Sequence, residues 1–143
     1  DGGGCDFLIR PVGGSRTPFS VENAGDGKHL LFMDGKPVFK WAIRLVEENM
    51  RQVVGAAGLT LEQLQLVVLH QANVRILDGI ADALGLDKSK VIIQLDRYGN
   101  TSAASIPLAL EECVQAGRVR RGDPILMSGF GAGLAWGTGV WRW

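Results

Sequence analysis

An imidazole and a carboxamide occupy comparable places in two segments of this chain. His70 opens the polar run at 70–73, and Asn100 lies in the longer polar run at 96–105. Each run follows an apolar stretch typical of a β-strand and precedes a stretch typical of a helix, which is where open α/β sheets build their sites. Two neutral donors that meet on one carbonyl oxygen would stabilise an enolate or a tetrahedral oxyanion.

Each of the two residues also has a simpler interpretation. A histidine at the end of a strand can bond to nearby backbone, and Asn100 after Gly99 is typical of a turn, since both residue types tolerate positive φ. The matching positions of His70 and Asn100 favour the catalytic interpretation. Asn73 adds a predicted helix N-cap beside the histidine.

The two cysteines offer no obvious nucleophile. Cys113 falls within a predicted helix, where a buried structural thiol is expected. Cys5 lies in a glycine run without a strand-to-helix turn that would activate it. The residues therefore predict part of an active site rather than a complete one.

The composition excludes several classes of function. The 143 residues are 46% hydrophobic and 21% charged, and 15 basic residues balance 15 acidic ones. That balance creates no overall field for nucleic acid or a membrane surface. Two cysteines and two histidines cannot form a disulfide framework or a His-rich metal cluster. We predict no metal, no cofactor and a cytoplasmic, reduced location, and we expect the glycine-rich start at 1–5 to be a cut within a longer protein.

The hydrophobic pattern predicts an α/β fold. Apolar residues recur at helical spacing over 38–57, 73–84 and 105–116, and Thr60 with Gln63 resembles a capping box. Continuous apolar runs predict buried strands at 66–69, 91–95 and 124–128, with further strands at 6–10, 29–32 and 134–143. The alternation of strands and helices indicates right-handed crossovers in a sheet flanked by helices. The last strand follows the preceding one without a helix, so we predict that it pairs antiparallel and that the sheet is mixed.

The glycine-rich segment at 129–133 superficially resembles a dinucleotide-binding fingerprint. The expected helix does not follow it, so we predict a tight loop that offers backbone N–H groups to the site, or a bulged hairpin. Three of the four tryptophans lie in the last eight residues and are predicted to fill the core or an interface. The scattered cations Lys36, Lys40, Arg44 and Arg75 are either solvated or face a phosphate or an acidic partner.

Three motifs in this order resemble β-ketoacyl-acyl-carrier-protein synthase III of the thiolase superfamily. They are the runs at 70–73, 96–105 and 130–133, and Asp34-Gly35 also fits the family pattern ahead of its long helix. The similarity covers residues 1–143 as the C-terminal, thiolase-like half-domain of that enzyme, without its N-terminal half.

The resemblance implies a layered αβαβα fold of two similar halves and a homodimer. It also implies condensation of an acyl-CoA with malonyl-acyl-carrier protein, which starts fatty acid synthesis and releases carbon dioxide. His70 and Asn100 match the last two members of a Cys-His-Asn catalytic set, whose implied role is to bind the malonyl thioester carbonyl. The nucleophilic cysteine belongs to the N-terminal half, so the chain alone is expected to be inactive.

Other site residues are implied by the same resemblance. The substrate channel would be lined by Gly35, Phe39, Ala72, Asn73 and Phe130. The loop residues Gly131 and Ala132 would complete the oxyanion hole, since an alanine keeps its N–H. Lys40 and Arg75 would face the carrier protein, although Asp82-Ala83 stands where some members carry paired lysines.

Two alternatives remain open. One is a non-catalytic module that binds acyl-CoA or a carrier protein through the same cleft. The other keeps the family and changes the reaction, as in a polyketide starter acyltransferase, because starter choice depends mostly on residues outside this chain.

Overall fold

Four helices and five strands form the regular structure of the chain. The computed structural model describes residues 1–143. The helices are α1 (Gly35–Ala56), α2 (Val74–Leu84), α3 (Leu95–Tyr98) and α4 (Ser105–Gln115), and the strands are β1 (Leu8–Ile9), β2 (Phe32–Met33), β3 (Leu66–Leu69), β4 (Pro124–Gly131) and β5 (Ala135–Arg142). None of the helices combines the length and the hydropathy that crossing a membrane requires.

The chain divides into two compact units. The first contains residues Asp1–Trp41 and Phe130–Ala135, and the second contains Ala42–Gly129 and Trp136–Trp143. The first unit includes the antiparallel pair β1–β2. It also requires a glycine at position 4, because a Cβ there would lie 2.1 Å from the Leu134 Cδ1.

The second unit is built around β3. All four residues of β3 are buried, and the strand pairs in parallel with β4, with Leu66 opposite Ile125 and Leu69 opposite Ser128. β5 is the other neighbour of β4. Only the turn Ala132–Leu134 joins β4 to β5, and because a parallel crossover needs a dozen residues or more, this pair is antiparallel as predicted. The sheet is therefore mixed.

The helices of the second unit follow the sequence signals closely. Asn73 caps α2 by accepting the backbone N–H of Arg75 at 2.9 Å, and Gly85 ends the helix with φ of +64°. One face of α4 buries Ala109 and Cys113 in the core cluster with residues of β3 and β4. The ends of α2 are thus determined locally, and burial of their apolar faces stabilises both helices.

Several predicted strands are wrong in extent. The segment predicted as a strand at 91–95 makes only a bridge between Val91 and Val67 before α3 begins at Leu95. It does not continue because the side chain of Gln71 occupies backbone groups of Ile92 and Gln94. In the first unit, a 3₁₀ turn over Gly2–Phe7 leaves only β1 of the strand predicted at 6–10. The strand predicted at 29–32 lies instead at Phe32–Met33.

Two further expectations about the C-terminal part need correction. The predicted loop at 129–133 is shorter, because β4 extends to Gly131. Trp136, Trp141 and Trp143 are not core residues, since each exposes at least 40% of its surface. These residues lie on or just after β5, which is an edge strand because only β4 pairs with it. The other predicted role, filling an interface, stays a prediction.

Candidate functional site

His70 directly follows β3, and the neighbouring strand fixes its backbone. Its N–H donates to the carbonyl of Ser128 at 2.9 Å, which extends the β3–β4 pairing by one residue. The imidazole is half-buried, and its Nδ1 lies 2.7 Å from the Oγ of Ser105, the first residue of α4. A strand end and a helix start thus determine the position of this ring.

The contact with Ser105 favours one of the two neutral tautomers of His70. The Oγ of Ser105 already accepts the backbone N–H of Gln71 at 3.2 Å, and Nδ1 is the acceptor within reach of its hydroxyl proton. Because a buried hydroxyl seeks an acceptor, Ser105 donates to Nδ1. The neutral ring therefore carries its proton on Nε2.

Burial keeps the His70 ring neutral. Desolvation lowers the pKa of His70 below its ordinary value of 6.5, because burial disfavours the charged form. At neutral pH the side chain is a neutral hydrogen-bond donor through Nε2. Such a group suits stabilisation of a developing negative charge better than proton abstraction.

Asn100 also presents its donor end. The Oδ1 of Asn100 accepts the backbone N–H of Ser102 at 2.9 Å, which leaves the Nδ2 amide group of this exposed side chain available as a donor. The turn that holds it is strained. Gly99 has φ of 65° and ψ of −156°, a region that is essentially restricted to glycine, and Ser102 has φ of +53°.

His70 and Asn100 belong to the same compact unit, and both are oriented as neutral donors. Strained backbone at Gly99 and Ser102 occurs where surrounding contacts over-determine a loop, as they commonly do at active sites. That the two donors share one oxygen stays a prediction.

The structure also locates the other predicted residues of the second unit. Ala72 is half-buried, and the exposed Asn73 uses its Oδ1 to cap α2. Arg75 is exposed in the first turn of α2. A channel or carrier-protein role for these three residues stays a prediction.

The remaining predicted residues belong to the first unit. Gly35 opens α1, Phe39 is half-buried within it, and Lys40 is exposed. Phe130 makes an edge-to-face contact with Trp41, with their ring centroids 6.4 Å apart.

The glycine loop of the first unit has a backbone that accommodates its alanine. Gly131 is extended, with φ of −171°. Ala132 is exposed and is not among the residues with positive φ. An alanine is thus unstrained there, as the predicted oxyanion role requires, and that role is untested.

Two residues of the site were missed from the sequence. Ser105 contacts His70 directly, and Gln71 is a buried polar side chain with 2% exposure. Ser105 has a detectable signal, since it is a hydroxyl residue where the helix after Asn100 begins. The importance of Gln71 depends on which backbone groups come within its reach, which only the folded chain shows.

The two cysteines have different surroundings. Cys113 is 2% exposed within the core, and burial raises the pKa of its thiol. Cys5 is half-buried, with its Sγ 3.7 Å from the Oδ1 of Asp6. Cys5 lies in the 3₁₀ turn Gly2–Phe7 and Cys113 lies within α4, so neither follows a strand-to-helix turn. That neither residue acts as a nucleophile stays a prediction.

Comparisons with known proteins agree on one family. The family model described as 3-oxoacyl-[acyl-carrier-protein (ACP)] synthase III C terminal matches residues 54–143. A β-ketoacyl-[acyl-carrier-protein] synthase III of Rhodopirellula baltica is 51% identical over 143 residues, which are 100% of this chain and 41% of that protein.

Solved structures share the fold at similar coverage. A β-ketoacyl-[acyl carrier protein] synthase III from Thermus thermophilus superposes with a TM-score of 0.88 at 44% identity, over 100% of this chain and 43% of that one. The priming β-ketosynthase of the R1128 polyketide pathway superposes with a TM-score of 0.85 at 38% identity, over 99% and 42%. The chain spans about two fifths of the length of these relatives. It has the α/β, thiolase-like fold of their C-terminal part, and it belongs to the 3-oxoacyl-[acyl-carrier-protein] synthase III C-terminal family.

Proposed function

We propose that this chain is the C-terminal part of a β-ketoacyl-[acyl-carrier-protein] synthase III that joins an acyl-CoA to malonyl-acyl-carrier protein and so initiates fatty acid synthesis. The observation that carries the proposal is the pair of oriented donors. The contact of Ser105 with Nδ1 favours a His70 proton on Nε2, and the bond from Ser102 to Oδ1 leaves the Asn100 amide group as a donor. Both donors occur in a chain whose 143 residues all align with part of such a synthase.

The proposed reaction divides the chemistry between two parts of the enzyme. A cysteine thiolate, contributed by the N-terminal part according to the family resemblance, attacks the acyl-CoA carbonyl and expels CoA as its thiolate. The malonyl thioester then loses carbon dioxide, and the electrons of the broken C–C bond move into the thioester as an enolate. The enolate carbon attacks the acyl-cysteine carbonyl, forms the new C–C bond and releases the thiolate.

His70 and Asn100 act in the second of these steps. Their N–H groups would bind the thioester oxygen on which the negative charge of the enolate develops. A neutral ring suits this role because its N–H can donate without giving up its proton. The substrates are thioesters of CoA and phosphopantetheine, and the proposed chemistry uses no metal or resident cofactor.

The remaining roles are carried over from the family. Gly35, Phe39, Ala72, Asn73 and Phe130 would line the substrate channel, and Gly131 with Ala132 would supply backbone N–H groups. Lys40 and Arg75 are exposed cations that suit an acidic carrier protein. A cytoplasmic homodimer belongs to the same proposal. The chain alone is expected not to condense, since the nucleophilic cysteine implied by the family belongs to the N-terminal part and Cys113 of this chain is buried.

The test is a chimera in which this chain replaces the matching C-terminal 143 residues of the Rhodopirellula baltica protein. His70→Ala and Asn100→Ala should each lower condensation by about 10²–10³-fold, the usual loss when one oxyanion donor is removed. His29→Ala, the only other histidine of the chain, is the control and should leave the rate unchanged. An unsubstituted chimera without condensing activity, or full activity after His70→Ala, would refute the proposal.

A polyketide-priming synthase is the second candidate. The R1128 priming ketosynthase covers the chain nearly as completely as the fatty acid enzymes do. Both candidates predict the same donors and the same condensation. Turnover of the chimera on acyl-CoA starters of different length would be set by the other part of the enzyme, so only the natural full-length protein distinguishes the two.

A further inference from the structure

The side chain of Gln71 connects the two segments that hold His70 and Asn100. Its Nε2 donates to the carbonyl of Leu69 at 2.9 Å and to the carbonyl of Ile92 at 3.0 Å, and its Oε1 accepts the backbone N–H of Gln94 at 2.9 Å. The residue is 2% exposed. Both ends of the buried amide therefore have partners, which is the condition for a buried polar group to stabilise a structure.

These bonds replace sheet pairing where the sheet stops. The last backbone bond between the two segments runs from the N–H of Ile92 to the carbonyl of Val67 at 3.1 Å. Beyond it, the Gln71 amide bonds to the carbonyl of Ile92 and the N–H of Gln94, as the backbone of a neighbouring strand would. A side-chain amide can do this because it has the same donor and acceptor groups as a peptide bond.

A second set of contacts continues from Gln94 toward Asn100. The Nε2 of Gln94 donates to Glu112 at 2.5 Å. Glu112, on α4, also accepts from Tyr98 and Arg97 of the short helix α3. These hydrogen bonds, from Tyr98 first and then Arg97, lower the pKa of Glu112. α3 ends directly before Gly99 and Asn100, so Glu112 ties the entry to the Asn100 turn to the helix that begins with Ser105.

From these contacts, and on the basis of the function proposed above, we propose that Gln71 is a positioning residue that sets the placement of the Asn100 turn relative to His70. The peptide bond before Gln71 joins it to His70, and its side chain holds the segment that leads into α3. Gln71 itself contacts no substrate. Its effect is confined to the step that needs both donors at once, decarboxylation of the malonyl thioester and the condensation that follows.

The test compares Gln71→Met with Gln65→Met in the chimera. Methionine keeps the length of glutamine and removes its hydrogen bonds. Gln65 lies just before the start of β3 and donates to the carbonyl of Arg118 at 3.1 Å, so its variant loses a similar bond at the far end of the same strand. Gln71→Met should lower kcat for condensation by about 100-fold, because a displacement near 1 Å costs that much. KM for the malonyl substrate and acyl transfer to the cysteine should change little.

Hydrogen–deuterium exchange supplies a readout that does not depend on activity. Exchange of the segment at 92–102 should accelerate in Gln71→Met, and it should stay unchanged in Gln65→Met. Equal losses in both half-reactions, or unchanged exchange in this segment, would show that Gln71 only stabilises the fold and would overturn the inference. Failure of the unsubstituted chimera to condense would refute the proposed function instead, and the exchange comparison would still decide whether Gln71 holds the segment.

Discussion

Replacement of Ser105 by alanine tests the orientation and tautomer of the His70 ring while the ring itself is kept. The change removes the hydroxyl that donates to the Nδ1 of His70 and accepts the buried N–H of Gln71. An unpaired buried N–H costs about 1–3 kcal/mol, so we expect that loss in the free energy of unfolding. The bond to Nδ1 contributes about 0.5–1.5 kcal/mol to the preference for a proton on Nε2, which is roughly a 2- to 10-fold change in the ratio of the two tautomers.

The tautomer shift alone should therefore lower the condensation rate by no more than this factor. A misdirected ring adds to the loss, and the total should stay below the loss for His70→Ala, where the donor disappears. ¹⁵N spectra of histidine-labelled protein report the tautomer directly, and urea denaturation reports the stability. The expected spectrum of the Ser105→Ala variant shows a growing Nδ1–H population.

Ser128→Ala is the matched control for this experiment. Ser128 is 1% exposed, and its hydroxyl bonds to that of Thr138 at 2.7 Å. Its loss should cost a comparable free energy of unfolding without changing the His70 tautomer or the rate. If Ser105→Ala left both the tautomer and the condensation rate as they were, the assignment of the Ser105 proton would be wrong.

Three further outcomes are expected. Gly99→Ala should destabilise the chain by about 1–3 kcal/mol because of the backbone conformation at Gly99, although a Cβ there would meet open space. Gly55→Ala within α1 should instead stabilise the chain by about 0.5–1 kcal/mol. Urea denaturation of the two variants measures both changes. The pKa of His70 is lowered in the folded chain, so the unfolded chain binds more protons below pH 6.5. The contribution of the neutral His70 to stability is therefore present above pH 6.5 and is lost as the pH falls through the pKa of the folded chain. NMR titration should place that value below 6.5, and a midpoint at or above 6.5 would contradict it. The 143-residue chain should self-associate through its exposed apolar surface, which includes Leu31 at 69% exposure, and Leu31→Glu should weaken this in sedimentation, whereas a monodisperse unsubstituted monomer would refute it.

Local signals in the sequence were sufficient for the central elements. The continuous apolar run of β3, the cap of Asn73 and the closing Gly85 predicted a strand and a helix whose bounds the structure reproduces to within a residue. Each signal depends on a neighbour in sequence, either a backbone bond to a capping side chain or a glycine that adopts positive φ. His70 could be placed at a strand end for the same reason.

Only the tertiary structure decided the surroundings of that histidine. Ser105 lies thirty-five positions from His70, and Gln71 reaches a backbone twenty-one and twenty-three positions away. The strand predicted at 91–95 was wrong because an apolar run does not reveal that a side chain will take over its backbone partners. The sequence by itself determined that an imidazole and an amide would end two segments of an α/β fold. The folded chain decided which atom of each side chain is left as a hydrogen-bond donor. For His70 this depends on a hydrogen bond between segments that meet only after the sheet has formed.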